Sequence, residues 1–224
     1  MIKSILNKIS LIRQLYFKSI NKDYYSQFGE DKVLNELISS DLIDGFYVDV
    51  GCFHHKKHSN TYLLHKKGWT GINIDMEEDK INLFNIARPK DYNYYGAISD
   101  KIENVKIFRN QKYGVSSTLD PYLLEKKDII DEKFITTNTL INVIESSPFR
   151  ERKIDLLNVD AEGYDYKVIK SLNFEKYSPK FIIIETHLKS IEEIIKYETY
   201  NFILDKKYSL RSWCLFSLIF KRNY

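Results

Sequence analysis

The chain has 224 residues, 29% of them charged and 43% hydrophobic, with a formal net charge of only +3. That length supports one domain with a sizeable core, and acids and bases interleave along it, which excludes the strongly basic footprint of a nucleic-acid-binding protein. Two cysteines, Cys52 and Cys214, are too few for a disulfide framework and fit a reducing cytoplasm.

The first segment, residues 1–22, holds Lys3, Lys8, Arg13, Lys18 and Lys22 with no acid, and Ile2, Ile5, Leu6, Ile9, Ile12, Tyr16 and Ile20 recur at helical spacing. It reads as a basic amphipathic helix ahead of a domain at residues 23–224. Its charges break any apolar run of membrane-spanning length, and it lacks a small-residue cleavage site. A helix of this type lies either on an anionic membrane surface, at the inner face, or across the domain's own sheet.

Beyond it, the pattern predicts a short helix over Asp31–Ser39, a core strand over Gly45–Gly51, a helix over Asn60–Lys67 capped by Ser59, and a strand over Gly71–Asp75. A helix follows over Glu77–Ala87, then a strand over Tyr94–Ile98 ending at Ser99-Asp100, and an added strand over Val105–Arg109. Gln111–Asp131 reads as irregular and suits a substrate-facing lid. The remaining elements are a strand over Lys133–Thr139, a helix over Leu140–Glu145, a buried strand over Ile154–Val159 and a helix over Tyr164–Ser171. A strand over Phe181–Glu185, one helix over Ile191–Asp205, and two last strands, Tyr208–Trp213 and Leu215–Lys221, complete the chain. Alternating strands and helices require parallel pairing with right-handed crossovers. The fold class is therefore α/β, a Rossmann-like, doubly wound, mostly parallel sheet with a C-terminal hairpin, preceded by an N-terminal helix.

Ligands of such sheets sit beyond the carboxyl ends of the strands, at the switch point. Asp49, Gly51, Asp75, Ser99, Asp100, Asp160, Glu162 and Glu185 all fall at those ends. Gly51 is followed by Cys52, Phe53, His54, His55 and Lys56, so the second and third glycines of a dinucleotide fingerprint are missing, and no phosphate loop occurs. One glycine after an Asp-tipped first strand, with an acid ending the second, is the arrangement used for S-adenosylmethionine, which has no phosphate to cradle. On this basis Asp49 and Gly51 are assigned to the methionine end, Asp75 to the ribose hydroxyls, and Ser99 with Asp100 to the adenine. Gln27 and Glu30 either fold over the cofactor or form a helix-start capping arrangement, and Asn60 either bonds the first loop or begins a helix.

Several ordered motifs then carry a resemblance. Ser26-Gln-Phe-Gly-Glu-Asp31, Val48-Asp-Val-Gly51, Ser59-Asn-Thr61, Gly68-Trp69, Gly71-Ile-Asn-Ile-Asp75, Arg88-Pro89, Ala97-Ile-Ser-Asp100, Val159-Asp-Ala-Glu-Gly163 and Ile184-Glu185 are similar to the FkbM family of methyltransferases. Where that family often carries Ala-His-His-Pro, this chain reads Cys52-Phe-His-His55. The resemblance implies an S-adenosylmethionine-dependent O-methyltransferase acting on a hydroxyl of a carbohydrate or similar polyhydroxylated small molecule.

An alcohol is a poor nucleophile while protonated, so methyl transfer calls for a general base or a cation at the acceptor oxygen. Asp160, Glu162 and His187 are the catalytic candidates, with His187 or Asp160 taking the proton. Asp160, Glu162 and Glu185 are the alternative oxygen ligands for Mg²⁺ or a similar divalent cation. His54, His55 and His58 lack the partners of a zinc site and suit an acceptor pocket or a solvated loop. Two other function classes stand beside methyl transfer: a non-catalytic nucleotide- or glycan-binding module, and a nucleotide-sugar oxidoreductase or epimerase. The pattern fixes neither the acceptor nor the oligomeric state.

Overall fold

A computed structural model describes residues 24–38, 42–110, 116–118 and 129–223. The amphipathic segment 1–22 and most of the expected lid at Gln111–Asp131 lie outside the described residues. Seven helices are described: α1 (Glu30–Leu37), α2 (Tyr62–Lys66), α3 (Glu78–Ala87), α4 (Leu140–Ser146), α5 (Asp165–Lys170), α6 (Ile191–Lys196) and α7 (Glu198–Asp205). The strands are β1 (Phe46–Val50), β2 (Thr70–Asp75), β3 (Tyr92–Tyr95), β4 (Ala97–Ile98), β5 (Asn104–Asn110), β6 (Ser116–Thr118), β7 (Ile129–Asn138), β8 (Leu156–Val159), β9 (Phe181–Glu185), β10 (Tyr208–Cys214) and β11 (Ser217–Arg222).

The main sheet has seven strands in the order β10-β11-β9-β8-β1-β2-β3. Pairing from β3 through β9 is parallel, while β11 runs antiparallel to both β9 and β10. The chain winds outward from β1 to β3, then returns to the other side of β1 as β8, so the switch point lies between β1 and β8. These two strands, with β9, are apolar runs buried on both faces, as a helix-covered parallel sheet demands. Phe46, Val48, Val50, Leu157, Val159, Ile182 and Ile184 share one core with Val143, Val168 and Ile203 from the helices. Leu156, Ile183 and Ile219 face the other layer, against Leu34, Leu64 and Trp69.

Three expectations need correction. The strand expected over Tyr94–Ile98 divides: Tyr92–Tyr95 completes the main sheet, and Ala97–Ile98 pairs with β7 in a second sheet ordered β4-β7-β5-β6. Gly96 marks the break, its N–H donating back to the Asp75 carbonyl at 3.0 Å. That second sheet also claims part of the stretch expected to be irregular, since β6 falls within it and β7 starts at Ile129 instead of Lys133. The single helix over Ile191–Asp205 breaks at Tyr197, which is extended (φ −71°, ψ 125°). Asn201 Nδ2 there donates to the carbonyls of Ile195 and Tyr197 at 2.9 and 3.1 Å, a side-chain cap that competes with helix continuation. Smaller shifts occur at Leu215, which turns the hairpin at φ 52° instead of opening its last strand, and at Ser59, whose hydroxyl accepts from the Tyr62 N–H at 3.1 Å.

Gly51, where β1 ends, has φ +75°, and a Cβ there would stand 1.8 Å from the Asp160 carbonyl oxygen. The close approach that requires glycine is thus to the protein's own β8 end, and not only to a ligand. Gly51→Ala is expected to lower stability by about 2 kcal/mol or more, from left-handed strain plus backbone displacement, measured by urea unfolding. A change below about 0.5 kcal/mol would contradict this packing account.

Candidate functional site

A small cleft opens at the carboxyl ends of β8 and β9, beside the switch point. Its lining comes from β8 and its end (Asn158, Val159, Asp160), β9 (Ile183, Glu185), the β11 entrance (Phe216, Ser217), the first loop (His58, Asn60) and the N-terminal motif (Gln27, Glu30). Gln27, Glu30, Asn60, Asp160 and Glu185 are therefore gathered on one cavity. Asp49, Asp75, Ser99 and Asp100 stand outside that lining.

Each separated residue has a visible structural engagement. Asp49 is buried, its Oδ2 accepting from Thr61 Oγ1 at 2.6 Å and its Oδ1 from Asn158 Nδ2 at 2.8 Å. Burial raises the Asp49 proton affinity, opposed by Thr61, the Arg88 charge and Asn158. Asp75 ends β2 and accepts from the Glu77 N–H at 2.9 Å and the Phe53 N–H at 3.0 Å, with Lys80 Nζ 3.5 Å from its Oδ2. Ser99 is buried and its N–H donates to the Asn138 carbonyl at 2.9 Å, whereas Asp100 is exposed. The two ends of the expected acidic rim thus differ: β1 and β2 carry buried, bonded carboxylates, and the open carboxylates belong to β8 and β9.

The N-terminal motif explains how α1 reaches the cleft. Ser26 Oγ donates to Asp31 Oδ1 at 2.6 Å and accepts from the N–H groups of Gly29 and Asp31. Glu30 accepts from the Phe28 N–H at 2.8 Å and from Ser217 Oγ at 3.1 Å, and lines the cavity. Asn60 Nδ2 donates to Asn158 Oδ1 at 2.9 Å, linking the cleft wall to the Asp49 network.

The acidic corner is compact. Asp160 follows β8 and Glu185 ends the adjacent parallel strand β9, so both carboxyls reach the cleft side by side. Burial first, then Glu185, holds the Asp160 carboxyl well above the usual carboxylate range. Glu162 sits at φ +47° beside Gly163. Its pKa is pushed up to about 7, by burial and then by Glu185, with His187 opposing. Ligand atoms of Glu162, Glu185 and His187 lie within 4.8 Å of one another. This trio differs from the expected oxygen set of Asp160, Glu162 and Glu185, since His187 stands in the place of Asp160. The histidines His54, His55 and His58 form no such group with other ligand-type side chains among the described residues. His54 Nδ1 instead accepts from the N–H groups of Lys56 and Lys57.

Four functional positions escaped the sequence reading. Asp165 folds the Asp160–Gly163 turn by accepting from the N–H groups of Ala161 (2.9 Å) and Gly163 (3.2 Å), and burial pushes its pKa up to about 6. Its signal was an acid in a helix's first turn, too common to single out. Asn158 and Thr61 hold Asp49, and Arg88, 1% exposed, donates to Thr61 Oγ1 and Tyr47 Oη at 2.9 Å and to the His55 carbonyl at 2.5 Å. No helix of the described residues is long and apolar enough to cross a membrane.

Comparison with known proteins follows this geometry. A family model described as "Methyltransferase FkbM domain" matches residues 49–208. No curated protein matches the chain. Among solved structures, a methyltransferase FkbM from Methylobacillus flagellatus KT aligns with TM-score 0.53 and 11% identity over 88% of this chain and 48% of that one, so this chain spans about half its length. A TehB-like SAM-dependent methyltransferase from Corynebacterium glutamicum aligns with TM-score 0.43 and 11% identity over 97% of each chain.

The raised Glu162 pKa has a stability consequence. Its folded value of about 7 exceeds the unfolded value of 4.5, so the native state holds the extra proton and loses stability as pH rises between those values. Lowered imidazole affinities at His54, His55 and His65 act in the opposite direction, so a difference measurement is needed. Glu162→Gln is expected to become more stable relative to the parent by roughly 2 kcal/mol between pH 4.5 and 7, in paired urea titrations. Parallel pH profiles would contradict the assignment.

Proposed function

The chain belongs to the FkbM methyltransferase family, and from that premise we propose that it transfers a methyl group from S-adenosylmethionine to a hydroxyl of a carbohydrate or similar polyhydroxylated acceptor. The observation that carries this reading is the cleft wall at β8 and β9, where Asp160 and Glu185 stand beside the amides of Gln27 and Asn60, with Glu162 and His187 gathered at Glu185 just outside that lining. Several carboxylate and amide acceptors on one cavity suit a ligand bearing many O–H donors.

The donor set also suits the cofactor. Its ammonium group calls for carboxylates such as Asp160, Glu185 and Glu30, its carboxylate for the amides of Gln27 and Asn60, and its ribose diol for Asp75, which keeps acceptor sites beyond its two backbone bonds. Asp49 then acts behind the wall, through Asn158 and Asn60. When bound, S-adenosylmethionine supplies an electrophilic methyl group on a sulfonium.

Glu162 is the proton acceptor in this reading. Its pKa of about 7 matches a base that must exist in both forms near neutrality, and His187 beside it favours the charged form. In that role the Glu162 carboxylate would take the proton of the acceptor hydroxyl. Asp160, whose carboxyl burial holds well above the usual carboxylate range, serves to bind and orient instead of accepting the proton itself. A second reading is favoured by the convergence of Glu162, Glu185 and His187: a hard divalent cation held there would polarise the acceptor oxygen.

Two variants test these roles. Asp75→Ala should weaken S-adenosylmethionine binding at least about tenfold in calorimetric titration, given a charge-assisted pair of ribose bonds. Unchanged affinity would remove the ribose contact. Glu162→Gln should lower the turnover rate with a panel of sugar acceptors by about 10²-fold or more at saturating cofactor. Undiminished turnover would remove Glu162 as the base, and activity abolished by chelator but restored by Mg²⁺ would favour the cation reading.

A further inference from the structure

On the outer side of the first loop, positive charge accumulates without an acidic answer. The rings of Tyr25 and Tyr62 meet edge to face with centroids 4.6 Å apart. The Lys56 ammonium lies 5.9 and 5.8 Å from their centroids. Lys66 Nζ donates to Tyr25 Oη at 2.9 Å and sits 5.2 Å from the same ring. Lys57 adjoins Lys56 in a turn fixed by the two N–H bonds to His54 Nδ1. Lys56, Lys57 and Lys66 are exposed, and among the described residues none has a carboxylate within ion-pair distance.

Two further facts indicate what covers this face. Tyr25 stands three residues beyond the segment 1–22, whose sequence carries five cations and no acid in an amphipathic pattern. Tyrosine rings under lysine ammonium groups also combine an apolar body with a polar tip, the composition suited to a headgroup layer. A nucleic acid would require a longer basic stripe than three lysines over two rings.

We propose that Lys56, Lys57 and Lys66, with Tyr25 and Tyr62, form a docking surface for an anionic phospholipid bilayer. The same loop brings His58 and Asn60 to the cleft, so docking holds the cavity at the level of the headgroups. The proposal does not depend on methyl transfer and is read without it.

The test is co-sedimentation of the full chain with phosphatidylglycerol vesicles and with phosphatidylcholine vesicles at several salt concentrations. The chain should bind the former and not the latter, more weakly as salt rises. Each neutralised lysine should weaken binding about fivefold, so K56Q/K57Q/K66Q should lose about a hundredfold, while K56R/K57R/K66R keeps parental affinity. Unchanged thermal unfolding of both triple variants confirms that they are folded. Equal binding to the two vesicle types, equal binding by the glutamine variant with loss only on deleting residues 1–22, or binding to duplex RNA and to no vesicle would each overturn the proposal.

Discussion

Arg88 brings a full positive charge to a position where water cannot solvate it, and its hydrogen bonds tie together the elements that shape the switch point. No carboxylate touches it directly among the described residues. Its guanidinium donates instead to the hydroxyls of Tyr47, Thr61 and Ser59 and to the His55 carbonyl. Two of those hydroxyls pass the charge on, Thr61 to Asp49 and Tyr47 to Asp91. The buried Asp49 and the half-buried Asp91 thus face one cation through shared O–H groups, and removing Asp49 or Thr61 leaves the Arg88 charge less well compensated in low dielectric. Lysine could not replace the arginine, since a single ammonium cannot reach hydroxyls and a carbonyl spread over β1, the first loop and the residues before α2.

The network's reach explains why the cleft lies where it does. From Asp49 it continues through Asn158 to Asn60, so the bottom of β1, the end of β8 and the wall of the cavity share one chain of hydrogen bonds. Gly51 allows the two strand ends to approach, and Asp165 folds the turn that follows β8. The Asp49 carboxylate of β1 is consequently used in building the site, while Asp160 and Glu185 at the ends of β8 and β9 line its cavity. Strand-end position alone does not distinguish these uses. What separates them is whether neighbouring N–H and O–H donors already fill the lone pairs.

That distinction marks the boundary of what the sequence reveals. Alternation of apolar runs with amphipathic stretches was sufficient for the parallel sheet, and the terminal Tyr208–Arg222 stretch for the antiparallel hairpin, because burial on two faces or one dictates those patterns. Arg88 was visible only as part of an Arg-Pro pair: its partners come from β1, the first loop and α2, more than two dozen residues away, and an arginine after a helix ordinarily reads as solvated. The same holds for Asp160 and Glu185, whose contact depends on strand order. The division of Tyr92–Ile98 between two sheets and the break at Tyr197 were likewise decided by tertiary pairing and one side-chain cap, both of which override local propensity.

The acidic corner acquires its meaning from the charge of the proposed ligand. With the Asp160 carboxyl held well above the usual carboxylate range and Glu162 poised near 7, the corner is less negative than its count of carboxylates suggests. A cation placed against it would favour the ionised form of Glu162, and removal of that positive charge would raise its proton affinity again. A base whose strength would follow the charge of its neighbour in this way needs no large structural change. It needs only the partly desolvated setting that the Glu162 turn, folded by Asp165, provides.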